Sequence, residues 1–210
     1  MYLPPQFADP QLIYARELMR AHPFSSLISN DDEGLPFVTH LPLHLLEEEG
    51  ESHAWRLLGH CAKPNPHWRY LEARPKAVVT FLGPHGYLSP KVYPDLARVP
   101  SWNYLAVHAT VEARVIHEAE EKDALLKALI GDHEPPYAQQ WRDLGPAFAE
   151  KMLRGIVGFE LRLSNVQCKL KLNQHRPESF ETMVSAYAAG DEPSQALAQW
   201  MRRLKQATKA

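Results

Sequence analysis

The residues best suited to chemistry stand near the end of an alternating run: Lys169 and Lys171, two apart, followed directly by Gln174, His175 and Arg176. Side chains alternate between the two faces of a β-strand, so both lysines point one way while Cys168, Leu170 and Leu172 point the other. Two ammonium groups on one face, with Arg176 behind them, could neutralise a phosphate monoester by side-chain charge alone. The competing reading is a solvated strand face, and the pattern by itself leans to it. A second basic position lies in Gly59-His60-Cys61-Ala62-Lys63-Pro64-Asn65-Pro66, where Lys63 stands beside a helix start capped by Asn65. An anion there would gain from the lysine charge and from the free N–H groups of the first turn. Asn65 serves as a cap in either case. The third signal is aromatic: Tyr87, Tyr93, Trp102 and Tyr104 gather around the prolines of the stretch from Ala77 to Asn103. Flat amphipathic rings suit a planar heteroaromatic ligand, and equally a dimer interface or a core corner. Each signal is weak alone; jointly they suggest a phosphorylated aromatic cofactor held on a barrel by side chains.

Other chemistries find no support. There is no Gly-x-Gly-x-x-Gly after a strand and no phosphate-loop glycine-lysine motif, so the usual backbone cradles for nucleotides are missing. No serine sits in a nucleophile elbow. His40 and His44 are four apart but straddle Pro42 in a strand-like run, so they do not share a helix face. The 11 histidines are scattered without ligand spacing and read as solvated or core residues, with no metal expected.

Positioning these groups falls to a chain of 210 residues, long enough for one sizeable core. Hydrophobic residues make up 45% and charged residues 23%, and the net charge of −2 gives no general reason for nucleic-acid or acidic-membrane affinity. Cys61 and Cys168 form no framework and read as free thiols of a reducing cytosol. No basic N-terminal region leads into an apolar run, and no segment approaches the ~20 apolar residues of a membrane span. A cytoplasmic protein with no membrane partner is the expectation. The 18 prolines against 10 glycines imply many stiff turns.

Asp9-Pro10 reads as a cap and a first helical position, with Leu12, Ala15, Leu18, Met19 and His22 at helical spacing up to Pro23. A short strand over 24–29, a turn over 30–34 and an alternating strand over 37–45 follow, with Pro42 marking an edge or a bulge. After an acidic turn over 47–51 come a strand over 55–61 and a short helix from Pro66 to before Pro75. Ala77-Val78-Val79-Thr80-Phe81-Leu82 reads as a buried strand broken at Gly83-Pro84-His85-Gly86. Long alternating strands are expected over 104–116 and 156–172. Between them lie a helix over 119–130, a loop containing Pro135-Pro136 and a helix over 146–153, and two helices over 178–189 and 194–205 finish the chain. About six or seven strands joined by short turns, with helices inserted rather than alternating, argue for a mainly β protein (α+β) built on a closed antiparallel barrel.

Several of these segments together resemble the PaiB-type FMN-binding negative transcriptional regulators, a branch of the FMN-binding split-barrel proteins related to pyridoxamine-phosphate oxidase. The matching segments are Met1 to Phe7, Thr39-His40-Leu41-Pro42, Gly59 to Pro66, Phe81 to Pro90, Val99-Pro100-Ser101-Trp102-Asn103-Tyr104, Arg154 to Glu160 and Lys169-Leu170-Lys171-Leu172-Asn173-Gln174. They run in family order from the first residue to about Arg176. The resemblance implies a homodimeric split barrel over 1–176 with a helical extension over 177–210, and FMN near the subunit interface. By position, Thr39, His40, Lys63 and Asn65 would line the flavin site with Trp102, Asn103, Lys169, Lys171 and Gln174. The lysines and Thr39 fall to the phosphate, Trp102 and Asn103 to the ring. Lys63 stands where arginine is common, keeping the charge but losing the bidentate fork. Cys168, Leu170, Asn173 and His175 replace the glycine, phenylalanine, serine and asparagine usual in the last strand.

The regulatory role, and DNA as a partner, come from the resemblance alone; no helix-turn-helix stands out, and the only basic helix carries Arg202, Arg203, Lys205 and Lys209 at the end of the chain. Two other functions compete. One is a flavin-dependent oxidoreductase, although no residue set defines a substrate base or proton donor. The other is a binding module for another ligand such as haem, with His85 or His108 as axial ligand.

Overall fold

Branched and aromatic side chains at every second position favour extended backbone, because such side chains pack well on a pleated surface. The computed structural model describes residues 1–47, 55–95 and 97–207. Helix α1 (Ile13–Ala21) is followed by strands β1 (Phe24–Asn30), β2 (Pro36–Pro42), β3 (His44–Glu47) and β4 (Trp55–Ala62), then by the short helix α2 (His67–Ala73). Strands β5 (Lys76–Leu88) and β6 (Ser101–Ile116) come next, and helices α3 (Ala119–His133), α4 (Tyr137–Asp143) and α5 (Pro146–Arg154) precede the last strand, β7 (Ile156–Lys171). Helices α6 (Phe180–Ala188) and α7 (Glu192–Ala207) end the described chain. The acidic turn expected over 47–51 lies outside the described residues except for Glu47.

The strands hydrogen-bond in the order β2-β1-β5-β6-β7-β4-β3. Strand β1 pairs antiparallel with both β2 and β5, and β4 pairs antiparallel with both β3 and β7. Strands β2 and β3 close opposite ends of this order, yet Leu43 alone separates them in sequence. One residue spans only about 3.5 Å, so the end of one outer strand meets the start of the other and the strand order closes on itself. The Leu43 N–H donates to the Pro23 carbonyl (3.0 Å) and pins the joint. This is an antiparallel barrel, mainly β with inserted helices, as alternation and short turns predicted, and of the split type that the family resemblance implied. Pro42 ends an edge strand, where its missing donor breaks no ladder.

The chain clusters into two units. One comprises His22–Phe81 and His108–Val166. Its strands bury Leu27, Leu57, Val79, Phe81, Ala109, Val111, Phe159 and Leu161, each large side chain contributing on the order of 1.5–3 kcal/mol. Ile116 packs with Leu125 and Leu129 of α3, with Leu58 and Leu126 partly buried against them.

The other unit comprises Met1–Ala21, Leu82–Val107 and the chain from Gln167 onward. It buries Leu18, Met19, Leu88, Leu105, Leu170, Met183, Leu197 and Met201. Here Asp9 caps α1 from a distance, its Oδ2 accepting from the N–H groups of Tyr14 (2.7 Å) and Ala15 (3.2 Å). The helix therefore starts at Ile13, three residues beyond Pro10, after Leu12 takes a left-handed φ of 56°.

Two expectations are corrected. The stretch Gly83-Pro84-His85-Gly86 does not break the strand, because β5 runs through it to Leu88. Gly83 is there for close packing rather than for a turn: a Cβ on it would lie 2.9 Å from Leu18 Cδ2. The buried positions are odd-numbered up to Gly83 and even-numbered from Pro84, so the strand changes its buried face at the Gly-Pro pair. The second correction is α4, which fills part of the expected loop after Pro135-Pro136. Pro136 adopts helical φ and ψ at its start, where a missing N–H costs nothing, and Trp141 is buried with its Nε1 donating to Asp123 (2.8 Å).

Candidate functional site

Strand β2 alternates so that Phe37, Thr39 and Leu41 share one face, and Thr39 is half-exposed on it. Beyond β4 the chain turns, with the Asn65 N–H donating to the Ala62 carbonyl (2.9 Å), and enters α2 at His67. The orientation of the Asn65 amide follows from its partners. Its Oδ1 accepts the His67 backbone N–H (3.0 Å), so its Nδ2 is the group that meets Thr39 Oγ1, at 3.2 Å. The cap predicted from Asn65-Pro66 is thus made, and its other end grips Thr39.

His67 is completely buried, with Nδ1 2.7 Å from Thr39 Oγ1 and the Phe37 ring edge-on at 5.1 Å. Burial lowers its pKa to about 4, so the imidazole is neutral at physiological pH. Lys63 is exposed, and among the described residues no carboxylate lies within ion-pair distance of it. Its backbone is fixed at both ends, by the N–H to the Gly155 carbonyl (2.8 Å) and by Trp68 Nε1 on its own carbonyl (3.0 Å). Buried Lys122 donates to the carbonyls of Leu153 (2.7 Å) and Ile156, and its pKa is lowered first by burial and then by the charge of Lys63. Two cations thus share one field. His40 lies on the opposite face of β2 from Thr39, exposed, with Nδ1 3.0 Å from Ser26 Oγ. What Thr39, Asn65 and Lys63 offer is a hydroxyl, an amide and an uncompensated ammonium, a donor set that suits a phosphate.

The remaining expected residues belong to the other unit. Lys171 donates to Ser101 Oγ (2.8 Å) and to the Trp102 carbonyl (2.6 Å). Lys169 is buried, donates to the Tyr2 carbonyl (2.9 Å) and sits over the rings of Tyr2 and Tyr104 at 5.5 and 5.3 Å. Neither lysine stands on a solvated face. Burial lowers the Lys171 pKa, Tyr104 opposes the shift, and Lys169 adds to it. Gln174 holds the end of β7, accepting from the Leu172 N–H (2.9 Å) and donating to the carbonyls of Leu170 (2.7 Å) and Gln6 (3.0 Å).

Trp102 is exposed beside His85 and Tyr87, both ring centroids 6.1 Å away, and the three border a cavity of about 430 Å³ with Met183, Tyr187 and Asp191. Asn103 is fully buried with Nδ2 3.2 Å from Met183 Sδ. His108, the other haem-ligand candidate, is half-buried on β6. On α7, Arg203 makes a two-point ion pair with Glu17 (2.5 and 2.7 Å) and Lys205 pairs with Glu181 (2.9 Å). Much of that helix's basic charge is therefore compensated within the chain, and Lys209 lies outside the described residues.

Sequence reasoning missed His67 and Lys122. The signal for His67 was its place directly after Asn65-Pro66, which reads as a helix start and hides the side chain it delivers. Lys122 sits in the first turns of an acidic helix, and only the fold brings the carbonyls at the end of α5 to it.

No helix among the described residues is long and apolar enough to cross a membrane. The family described as "Putative FMN-binding domain" matches residues 1–165. The chain is 32% identical over 182 residues to the "Protease synthase and sporulation protein PAI 2" of Bacillus subtilis, covering 85% of this chain and 84% of that protein. Two solved structures share the fold. The flavocytochrome Anf3 of Azotobacter vinelandii has a TM-score of 0.61 at 19% identity, over 79% of this chain and 69% of that one. The FAD and heme binding protein of Mycobacterium smegmatis has a TM-score of 0.57 at 19% identity, over 75% of this chain and 70% of that one. With its rolled antiparallel sheet, its sequence likeness to the Bacillus protein and its match over most of its length, the chain belongs to the PaiB-type family of FMN-binding split-barrel proteins.

Proposed function

We propose that this protein binds FMN as a homodimer and acts as a negative transcriptional regulator of PaiB type. The observation that carries the cofactor reading is the Thr39–Asn65 pair, whose Asn65 lies two residues on in the chain from Lys63, an exposed ammonium with no carboxylate within ion-pair distance among the described residues, in a chain of an FMN-binding family. A flavin supplies a planar redox-active ring and a phosphate. In this reading Thr39, Asn65 and Lys63 take the phosphate and the exposed Trp102 borders the ring, while the buried Asn103 supports the strand next to it. His40, Lys169, Lys171 and Gln174 complete the set, the two lysines by shaping the start of β6 and the N-terminal segment they hold. A dimer would cover apolar side chains exposed on one unit, Leu82, Tyr87, Val99 and Trp102. Residues 1–176 would carry the flavin and 177–210 serve as a helical extension, in a protein working in the cytoplasm.

Equilibrium titration of purified protein with FMN, FAD and riboflavin tests the cofactor, with FMN expected to bind tightest. Absence of flavin absorbance together with no binding of added FMN would overturn it. Light scattering after gel filtration reads the dimer. Regulation is tested by gel shifts over the protein's own upstream DNA at several salt concentrations, where sequence-blind retention that vanishes with salt is electrostatics alone. Rapid bleaching of the FMN-loaded protein by NADH or NADPH would instead favour an oxidoreductase.

A further inference from the structure

Thr39 has one hydroxyl proton and two lone pairs, and two of its three hydrogen-bonding directions are already taken inside the protein. The Asn65 amide fills one lone pair, since its orientation is set by the His67 backbone N–H. What the third direction offers to a ligand depends on the His67 ring. If Nδ1 is bare, the Thr39 proton goes to it and the hydroxyl faces outward as an acceptor. If Nδ1 carries the proton, it fills the second lone pair and the Thr39 O–H must point outward as a donor.

The far side of the ring decides between them. His67 Nε2 is buried and has no hydrogen-bond partner among the described residues. A bare Nδ1 puts the ring proton on Nε2, leaving a buried donor with no acceptor; a protonated Nδ1 leaves only an unfilled acceptor there. Orphaned buried N–H groups are rarer in folded proteins than under-satisfied buried acceptors. We propose that His67 is a positioning residue, held as the neutral Nδ1–H tautomer, that together with Asn65 makes Thr39 an obligate donor and so tunes the site to a phosphate group over an uncharged hydroxyl. The inference deepens the FMN reading and rests on it for the identity of the phosphate. His67 itself need not touch the ligand.

Ring-nitrogen correlation NMR on the full-length ¹⁵N-labelled protein, with the signals assigned through His67→Asn, reads the tautomer without any ligand. A protonated Nδ1 and a bare Nε2 at pH 7 are expected; a bare Nδ1 overturns the proposal. Affinities for FMN and riboflavin then separate orientation from packing. His67→Phe removes the donor and fills the space, and is expected to weaken FMN about tenfold or more while riboflavin changes less than about twofold. His67→Asn, whose amide can stand in for Nδ1–H, is expected to keep most of the preference. Equal losses for FMN and riboflavin in His67→Phe would reduce His67 to packing and overturn the proposal. Wild-type protein that binds neither flavin would retire the cofactor reading, and the tautomer would still decide the hydroxyl's direction.

Discussion

The ammonium of Lys171 lies 2.6 Å from the carbonyl oxygen of Trp102 and 2.8 Å from the hydroxyl of Ser101. One strand's last residue thus ties down the first two residues of another, and a side chain that looks like a ligand hook from the sequence acts as a brace. Tyr104 receives both Lys169 and Lys171 over its ring, within 6 Å of each.

Replacing Lys171 with Met should release this brace. Loss of two charge-assisted hydrogen bonds at a half-buried site is expected to cost about 1–3 kcal/mol in urea unfolding and to change the fluorescence of Trp102. A loss below about 0.5 kcal/mol, within the range of ordinary surface substitutions, would show that these contacts hold nothing.

Stability should fall on mild acidification. His67 titrates at about 4 when folded against an ordinary 6.5, so between these values the unfolded chain takes up a proton that the folded chain refuses. Its contribution is complete above about pH 6.5 and is lost progressively as pH drops toward 4. At about 1.4 kcal/mol per unit this amounts to at most about 3 kcal/mol. His22 and His60, also lowered by burial, push the same way. Urea midpoints across this range should show a shallower slope for His67→Asn than for the wild type.

Gly59 has no room for a methyl group: a Cβ would lie 2.4 Å from Leu43 Cδ2 and 3.0 Å from Leu41 Cδ1 and Phe159 Cε2. Gly59→Ala is expected to cost about 1–3 kcal/mol through overpacking. Since the nearest obstacle is one side-chain end, adding Leu43→Ala should cost less than the two single losses summed. Additive losses in a thermal or urea series would refute that coupling.

Both cysteines are buried, and burial pushes the thiols up, for Cys168 with help from the charge of Asp9. A thiol held protonated is a poor nucleophile. Ellman's reagent should leave both unmodified in the folded protein and react with two equivalents after denaturation; fast reaction before unfolding would contradict this placement.

The strands were legible because their faces alternate over long spans, as in Leu105, Val107, Ala109 and Val111, and this signal survives any detail of packing. Turn chemistry misled at Gly83-Pro84, since glycine there answers to Leu18, a neighbour distant in sequence. Helix α4 was hidden for a related reason: two prolines read as a loop until Trp141 finds Asp123. At the site, the role proposed for Thr39 came from family resemblance and that of Lys63 also from its place beside a helix start, while the buried imidazole behind Thr39 needed the fold. A hydrogen bond between residues 28 apart leaves no periodic trace in the sequence.

The single-residue link at Leu43 makes the two ends of the sheet a mechanical couple. A strand slips in steps of two residues if it is to keep its apolar side chains inward. One residue cannot absorb such a step, so any slip of β2 along β1 would drag β3 along β4 as well. Misalignment at either end must be made twice, in two ladders at once, and the barrel is thereby guarded against registry errors by the shortness of one joint.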